Sequence, residues 1–96
     1  MPIQSFADKN TEEFFISGNI RKGVGWASVN RIAKRRLDIL HYAFDLKDLG
    51  AIPGNRLEAL KGNLKDYYSI RINEKWRIIF QWSDYGAINV SITDYH

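Results

Sequence analysis

Three runs in the second half of the chain alternate between apolar and polar residues, and they constrain the fold more than any other feature. Tyr68, Ile70 and Ile72 alternate with Ser69, Arg71 and Asn73. Trp76, Ile78, Phe80 and Trp82 alternate with Arg77, Ile79 and Gln81, and Ile88, Val90 and Ile92 alternate with Asn89, Ser91 and Thr93. A period of two sends one set of side chains to a core and the other away from it. Short connections between the runs predict an antiparallel meander with one apolar face, its aromatics Trp76, Phe80 and Trp82 in the core.

Register follows from the same parity, because residues directly opposite on antiparallel strands share a face. Bringing Ile70, Ile72, Trp76 and Ile78 together sets Ile72 against Trp76 and therefore Arg71 against Arg77. Matching Trp82 with Ile88 sets Ile78 against Ile92 and Arg77 against Thr93, and Tyr95 continues the parity of Thr93. Two opposed arginines repel unless something anionic lies between them. Either a carboxylate from Glu58, Asp66 or Asp94 supplies that charge, or the pair forms a site for a phosphate, with Tyr95 and Lys61 beside it.

The first half reads as helical. Ile3 to Phe6 looks like a short strand, and Asn10 before Thr11-Glu12-Glu13 looks like a helix cap, with Phe14 and Phe15 inward and Gly18 as terminator. Asn19 to Gly25 is a glycine-flanked basic loop. Val29, Ile32, Ala33, Leu37, Leu40, Ala43 and Phe44 recur in steps of three and four, which predicts a helix of about twenty residues from Ser28 to Gly50. Arg31, Lys34, Arg35 and Asp38 fall on its outer side, a solvated surface or a stripe facing a partner. Ala51-Ile52-Pro53-Gly54 is a turn. The expected architecture is α+β: two N-terminal helices packed on an antiparallel β-sheet, a single domain over residues 1–96.

Composition narrows the chemistry. With 96 residues and 26% charged, the chain supports one core, and no apolar run approaches the ~20 residues of a membrane span. There is no cysteine and only His41 and His96, so thiol redox chemistry is excluded and no metal-ligand spacing is visible; no cofactor is expected, and the cytoplasm is the default compartment. Fourteen Lys and Arg against eleven Asp and Glu give a net charge of +3, suited to a polyanionic partner. Arg56, Lys61 and Lys65 lead the basic stretch that ends at Arg77, and Tyr67 or Tyr68 can either pack or stack on a base. His41, on the helix beside Leu40, receives no role.

The runs Gly54-Asn55-Arg56-Leu57-Glu58-Ala59-Leu60-Lys61-Gly62, Tyr68-Ser69-Ile70-Arg71-Ile72-Asn73, Trp76-Arg77-Ile78 and Asp94-Tyr95-His96 together resemble the HigB-type toxins of the RelE/ParE superfamily, the plasmid-maintenance killer proteins. The Pro-Gly-Asn-Arg-Leu-Glu run is similar to that of the GraT-like members. The resemblance implies a RelE-like compact fold and a bacterial type II toxin-antitoxin system. It also implies metal-independent cleavage of mRNA on the ribosome, with the RNA's own 2′-hydroxyl as nucleophile. The family's functional positions fall on Lys61, Arg77, Asp94, Tyr95 and His96, with Arg71 close by; Glu58 stands where some relatives carry a histidine.

On this reading Arg71, Arg77 and Lys61 stabilise the charge of the phosphorane, Tyr95 and His96 carry protons, and Glu58 or Asp94 orients them. Arg56, Lys65 and Tyr67 are candidate RNA contacts. A helix-turn-helix HigA-type antitoxin is the implied partner, meeting the toxin at Lys34, Arg35 and the Asn19 to Gly25 loop, with operator DNA reached only through the antitoxin. Competing readings are a non-catalytic ParE-like inhibitor of DNA gyrase and a basic RNA-binding module.

Overall fold

A computed structural model of the chain describes residues 1–94. The meander forms as the alternation requires. Strands β2 (Tyr68–Arg71), β3 (Trp76–Ser83) and β4 (Gly86–Asp94) pair antiparallel in order, and a two-residue strand, β1 (Glu58–Ala59), adds a fourth at the edge beside β2. Helices α1 (Lys9–Ser17) and α2 (Asn30–Tyr42) cover one face of this sheet. The core between them holds Phe14, Ala33, Leu37 and Leu40 from the helices and Ile70, Ile78, Phe80, Val90 and Ile92 from the strands. Each such large side chain contributes about 1.5–3 kcal/mol on burial. Phe80 is fully buried, whereas Trp76 and Trp82 pack against the core from its margin.

Four local expectations are corrected. The cap of α1 lies two residues before Asn10, at Asp8, which is extended and whose carboxylate accepts the Thr11 N–H at 3.1 Å. Thr11 is thereby turned into the core, where its hydroxyl accepts the Ile92 N–H. Gly18 does end the helix, at φ 79°. The expected twenty-residue helix is broken. Residues Gly25–Val29 form a 3₁₀ turn with Trp26 buried, α2 stops at Tyr42, Ala43 is extended, and a new short helix, α3 (Leu46–Gly50), starts at Asp45. Asp45 and Asp48 form a reciprocal capping box that satisfies the amides of a fresh helix start, so continuing α2 gains nothing. Ile32 and Phe44 lie exposed, and the buried stripe of α2 reduces to Ala33, Leu37 and Leu40.

The third correction concerns β4. Ile79 faces Ser91, but Gln81 faces Ile88 and Trp82 faces Ala87, so one extra residue is inserted in β4. Asn89 takes it up at φ 53°, its N–H bonded to the Ser5 hydroxyl and its side-chain amide to Gln81 Oε1. Ala87 therefore takes the core position expected for Ile88, which is half-buried. Ile3 to Phe6 does not form a full strand. It runs alongside β4 through a single parallel bridge, Phe6 to Val90, with backbone bonds from Gln4 to Ala87 and between Ser5, Ala7 and Val90. That covers an otherwise open sheet edge. No helix among the described residues is long and apolar enough to cross a membrane.

Candidate functional site

The face of the sheet turned away from α1 and α2 carries the polar set of each strand. Below the bulge the register is the expected one: Arg71 stands opposite Arg77, and Arg77 opposite Thr93. The next row along is Glu58, Ser69, Ile79 and Ser91, again directly opposed from β1 to β4. Both arginines are half-buried, so their mutual repulsion is not fully screened by solvent. One terminal nitrogen of Arg77, Nη1, is buried with no hydrogen-bond partner among the described residues, and so is the Ser69 hydroxyl on the same face. Buried donors without partners are rare in folded proteins, and a bound anion is one arrangement that would satisfy them. Guanidinium groups here are matched to the oxygens of a phosphate or carboxylate.

The carboxylates expected nearby behave differently from one another. Glu58 lies exposed on the edge strand, on the arginine face but one row away, and neither it nor Asp66 pairs with Arg71 or Arg77 among the described residues. Asp94 faces Trp76 in the register, which sets it on the other side of the sheet end from Arg77, and its carboxylate takes Lys75 Nζ at 3.8 Å. Tyr95 and His96 lie outside the described residues.

Lys61 is exposed at the start of the loop that follows β1. A 3₁₀ turn over Gly62–Leu64 shapes that loop, and the bond from Leu60 N–H to the Tyr67 carbonyl closes it at 2.9 Å. Lys65 is exposed in the same loop, and Arg56 is exposed at φ 46° just before β1. The two tyrosines separate: Tyr68 stacks on Phe80 on the core side with ring centroids 6.0 Å apart, and Tyr67 has the parity of Ser69 and Arg71. Arg71, Arg77 and Tyr67 thus share one face, with Lys61 and Lys65 in the loop between β1 and β2.

The basic residues of α2 belong to the opposite side of the sheet. Lys34 reaches Asp38 at 2.6 Å and stands 4.9 Å over the Phe15 ring, and Arg35 is exposed. Lys34, Arg31, Asn30 and Phe14 line an open cleft of about 330 Å³. His41 has a structural contact, accepting the Ile3 N–H at Nδ1. Two residues of the site region escaped the sequence reading. Ser69 could have been found, since it shares the parity of Arg71. Asn55 lies in a turn whose composition says nothing of its partners.

Comparison with known proteins gives the family and the fold. The family model described as the RelE-like toxin of type II toxin-antitoxin system HigB matches residues 4–96. Toxin HigB-1 of Vibrio cholerae serotype O1 is 42% identical over 84 residues, covering 88% of this chain and 87% of the relative. Endoribonuclease HigB of Proteus vulgaris is 33% identical over 94 residues, 98% of this chain and 99% of the relative. Among solved structures, the YoeB/ParE toxin from Agrobacterium tumefaciens superposes over 100% of both chains with a TM-score of 0.57 at 17% identity. The YoeB dimer from Staphylococcus aureus gives 0.56 at 22% identity, over 100% of this chain and 97% of that one, and both likenesses show the fold. By the family match along nearly its whole length, the chain belongs to the HigB-like toxins, RelE-like toxins of type II toxin-antitoxin systems.

Proposed function

We propose that this toxin is an endoribonuclease that cuts mRNA on the ribosome without a resident metal, using the RNA 2′-hydroxyl as nucleophile. The observation that carries the reading is the opposed Arg71–Arg77 pair, with a buried guanidinium nitrogen that has no partner among the described residues. In-line attack by a 2′-hydroxyl builds charge on the phosphorane oxygens, and preorganised cationic donors stabilise that charge more than they stabilise the ground state. Arg71 and Arg77 hold the phosphate, and Lys61 reaches in from its loop. Arg56, Lys65 and Tyr67 guide the flanking RNA. Tyr95 and His96 exchange the protons of the attacking and leaving oxygens, and Asp94 orients them. The name of the Proteus vulgaris relative, an endoribonuclease, supports the same assignment.

The antitoxin partner that a type II system entails is, on this reading, a HigA-type helix-turn-helix protein docking at Lys34, Arg35 and the Asn19 to Gly25 loop, on the side of the sheet away from the arginines. Operator DNA is reached through that complex.

Mapping 5′ ends of cellular mRNA during brief expression tests the activity. New ends inside translated reading frames, lost when translation is blocked beforehand, are the expected result. DNA breaks dependent on gyrase, without new mRNA ends, would instead make the protein a non-catalytic inhibitor. Growth arrest with neither would leave a basic RNA-binding module.

A further inference from the structure

Asn55 is fully buried, and every one of its hydrogen-bonding groups is engaged. Its side-chain oxygen accepts Arg36 Nη1 at 2.6 Å, and its side-chain amide donates to the Leu49 carbonyl at 3.0 Å. Its backbone N–H donates to the Ile52 carbonyl, and its own carbonyl accepts the Arg71 N–H at 2.6 Å. One residue therefore joins α2, the end of α3 and the end of β2.

Gly54 makes the arrangement possible. It sits at φ 87°, and a Cβ there would lie 2.8 Å from Arg36 Nη2. Any side chain at this position would be strained and would crowd the Arg36 guanidinium.

The bond to Arg71 lies beyond the last paired residues of β1 and β2, where Glu58 faces Ser69. The chain turns through Arg56, and Asn55 then regains the ladder at the tip of β2. Arg71 is thus gripped on the edge side by Asn55 and faces Arg77 on the other. Repulsion between the two arginines loads this end of the sheet, and the bond to the Asn55 carbonyl fixes where the Arg71 backbone lies. The carbonyl can do so only while the side chain is fixed at both ends, by Arg36 and by Leu49.

We propose that Asn55, anchored by Arg36, is a positioning residue that holds the backbone of Arg71 so that its guanidinium stays set against Arg77. The consequence for cleavage rests on the ribonuclease reading; the consequence for the Arg71 backbone does not. Small displacements of a group that contacts the reacting atoms cost up to about 10²-fold in rate.

Two variants of the full chain test this. Asn55→Asp keeps an acceptor for Arg36 but replaces the donor to Leu49 with a carboxylate oxygen facing that carbonyl, whereas Arg36→Lys leaves Asn55 in place and removes the guanidinium fork. In each, the Arg71 amide should exchange with solvent about tenfold faster or more, while the Ile78 amide of the central strand keeps its protection. The maximal rate of cleavage on programmed ribosomes should fall towards 10²-fold, with the half-saturating ribosome concentration unchanged. In an Arg71→Ala background neither substitution should lower the rate further, since the effect runs through Arg71. Unchanged Arg71 exchange in both variants overturns the proposal whatever the activity, and so does a rate loss that multiplies with Arg71→Ala. If the unmodified protein cleaves nothing, the functional reading fails, and the exchange comparison still decides whether Asn55 holds Arg71.

Discussion

The helical side and the outer sheet face both carry basic side chains, but they neutralise them differently. On the helical side, Lys34 has Asp38 at 2.6 Å and the face of Phe15 beneath it, and Arg21 has Glu13 at 3.4 Å. On the sheet, Arg71 has Arg77, and Arg77 keeps a buried nitrogen without a partner among the described residues. A surplus of three positive charges over the whole chain does not distinguish these regions. What does is desolvation: a paired surface cation contributes ~0–1 kcal/mol and offers little to a new ligand. A half-buried cation without its partner is destabilising until an anion arrives.

The largest effect should come from breaking the sheet face without touching the core. Arg77→Ala is expected to lower cleavage by about 10²–10³-fold and abolish growth inhibition, with the thermal midpoint preserved. Phe80→Ala, three positions along the same strand but fully buried on the other face, should instead cost ~3–5 kcal/mol of stability. Measuring both variants for growth inhibition and thermal unfolding separates chemistry from folding. An Arg77→Ala protein that unfolds would reduce the sheet face to a structural feature.

Arg71→Gln sharpens the contrast, because stability and activity should move in opposite directions. Removing one of two opposed like charges while keeping most of the stem should gain ~0.2–1 kcal/mol in urea unfolding. Cleavage should drop at the same time. A loss of stability would mean that the arginines are held by an attraction outweighing their repulsion, and the pair would no longer point to an absent anion.

The arginine row was legible in the sequence because core packing fixes parity, and parity carries Arg71, Arg77 and Thr93 to one face without knowledge of any other contact. The same logic failed one turn further up β4. The bulge at Asn89 depends on Ser5 and Gln81, partners 84 and 8 residues away in sequence, and no local pattern announces it. Helix α2 was legible as a periodic stripe, but its end was not. The capping box of Asp45 and Asp48 competes with helix continuation, and periodicity measures only the apolar side chains. Asn55 was invisible for a related reason: its worth lies in joining Arg36, 19 residues away, to the Arg71 amide on β2. Tyr95 was placed beside the arginines by the parity of Thr93, and the resemblance added to the proton-carrying reading of Tyr95 and His96, but both residues lie beyond those the structure describes.

On the helical side a smaller effect is expected, and it should depend on salt. Lys34→Glu with Arg35→Glu should weaken antitoxin binding roughly three- to tenfold at low ionic strength and less at high. Lys34→Glu also places a carboxylate four residues from Asp38, which should cost ~0.3–0.5 kcal/mol in helix stability. Binding titrations at two salt concentrations would check this, and equal affinity in both would move the antitoxin to another surface. Cleavage by the free toxin should not change, since the altered residues lie across the sheet from Arg77.

The smallest effect concerns the Asn19 to Gly25 loop, the other surface assigned to the antitoxin. Glu13 ties that loop to α1. The Asn19 side-chain amide, donating to Glu13 Oε2 at 2.6 Å, is the main cause that holds the carboxyl below the usual carboxylate range, and the Arg21 guanidinium adds to it. A lowered folded-state value means that the tether is complete at neutral pH, above the unfolded-state value, and is lost as pH falls through the folded one. Amide exchange at Asn19 and Arg21 should therefore gain protection between acid and neutral pH beyond what the intrinsic rates explain. Glu13→Gln should remove that gain while leaving the thermal midpoint near neutrality unmoved, because the group is on the surface. A Glu13→Gln protein with the same pH-dependent protection at Asn19 would mean that the loop is held by contacts other than this carboxylate.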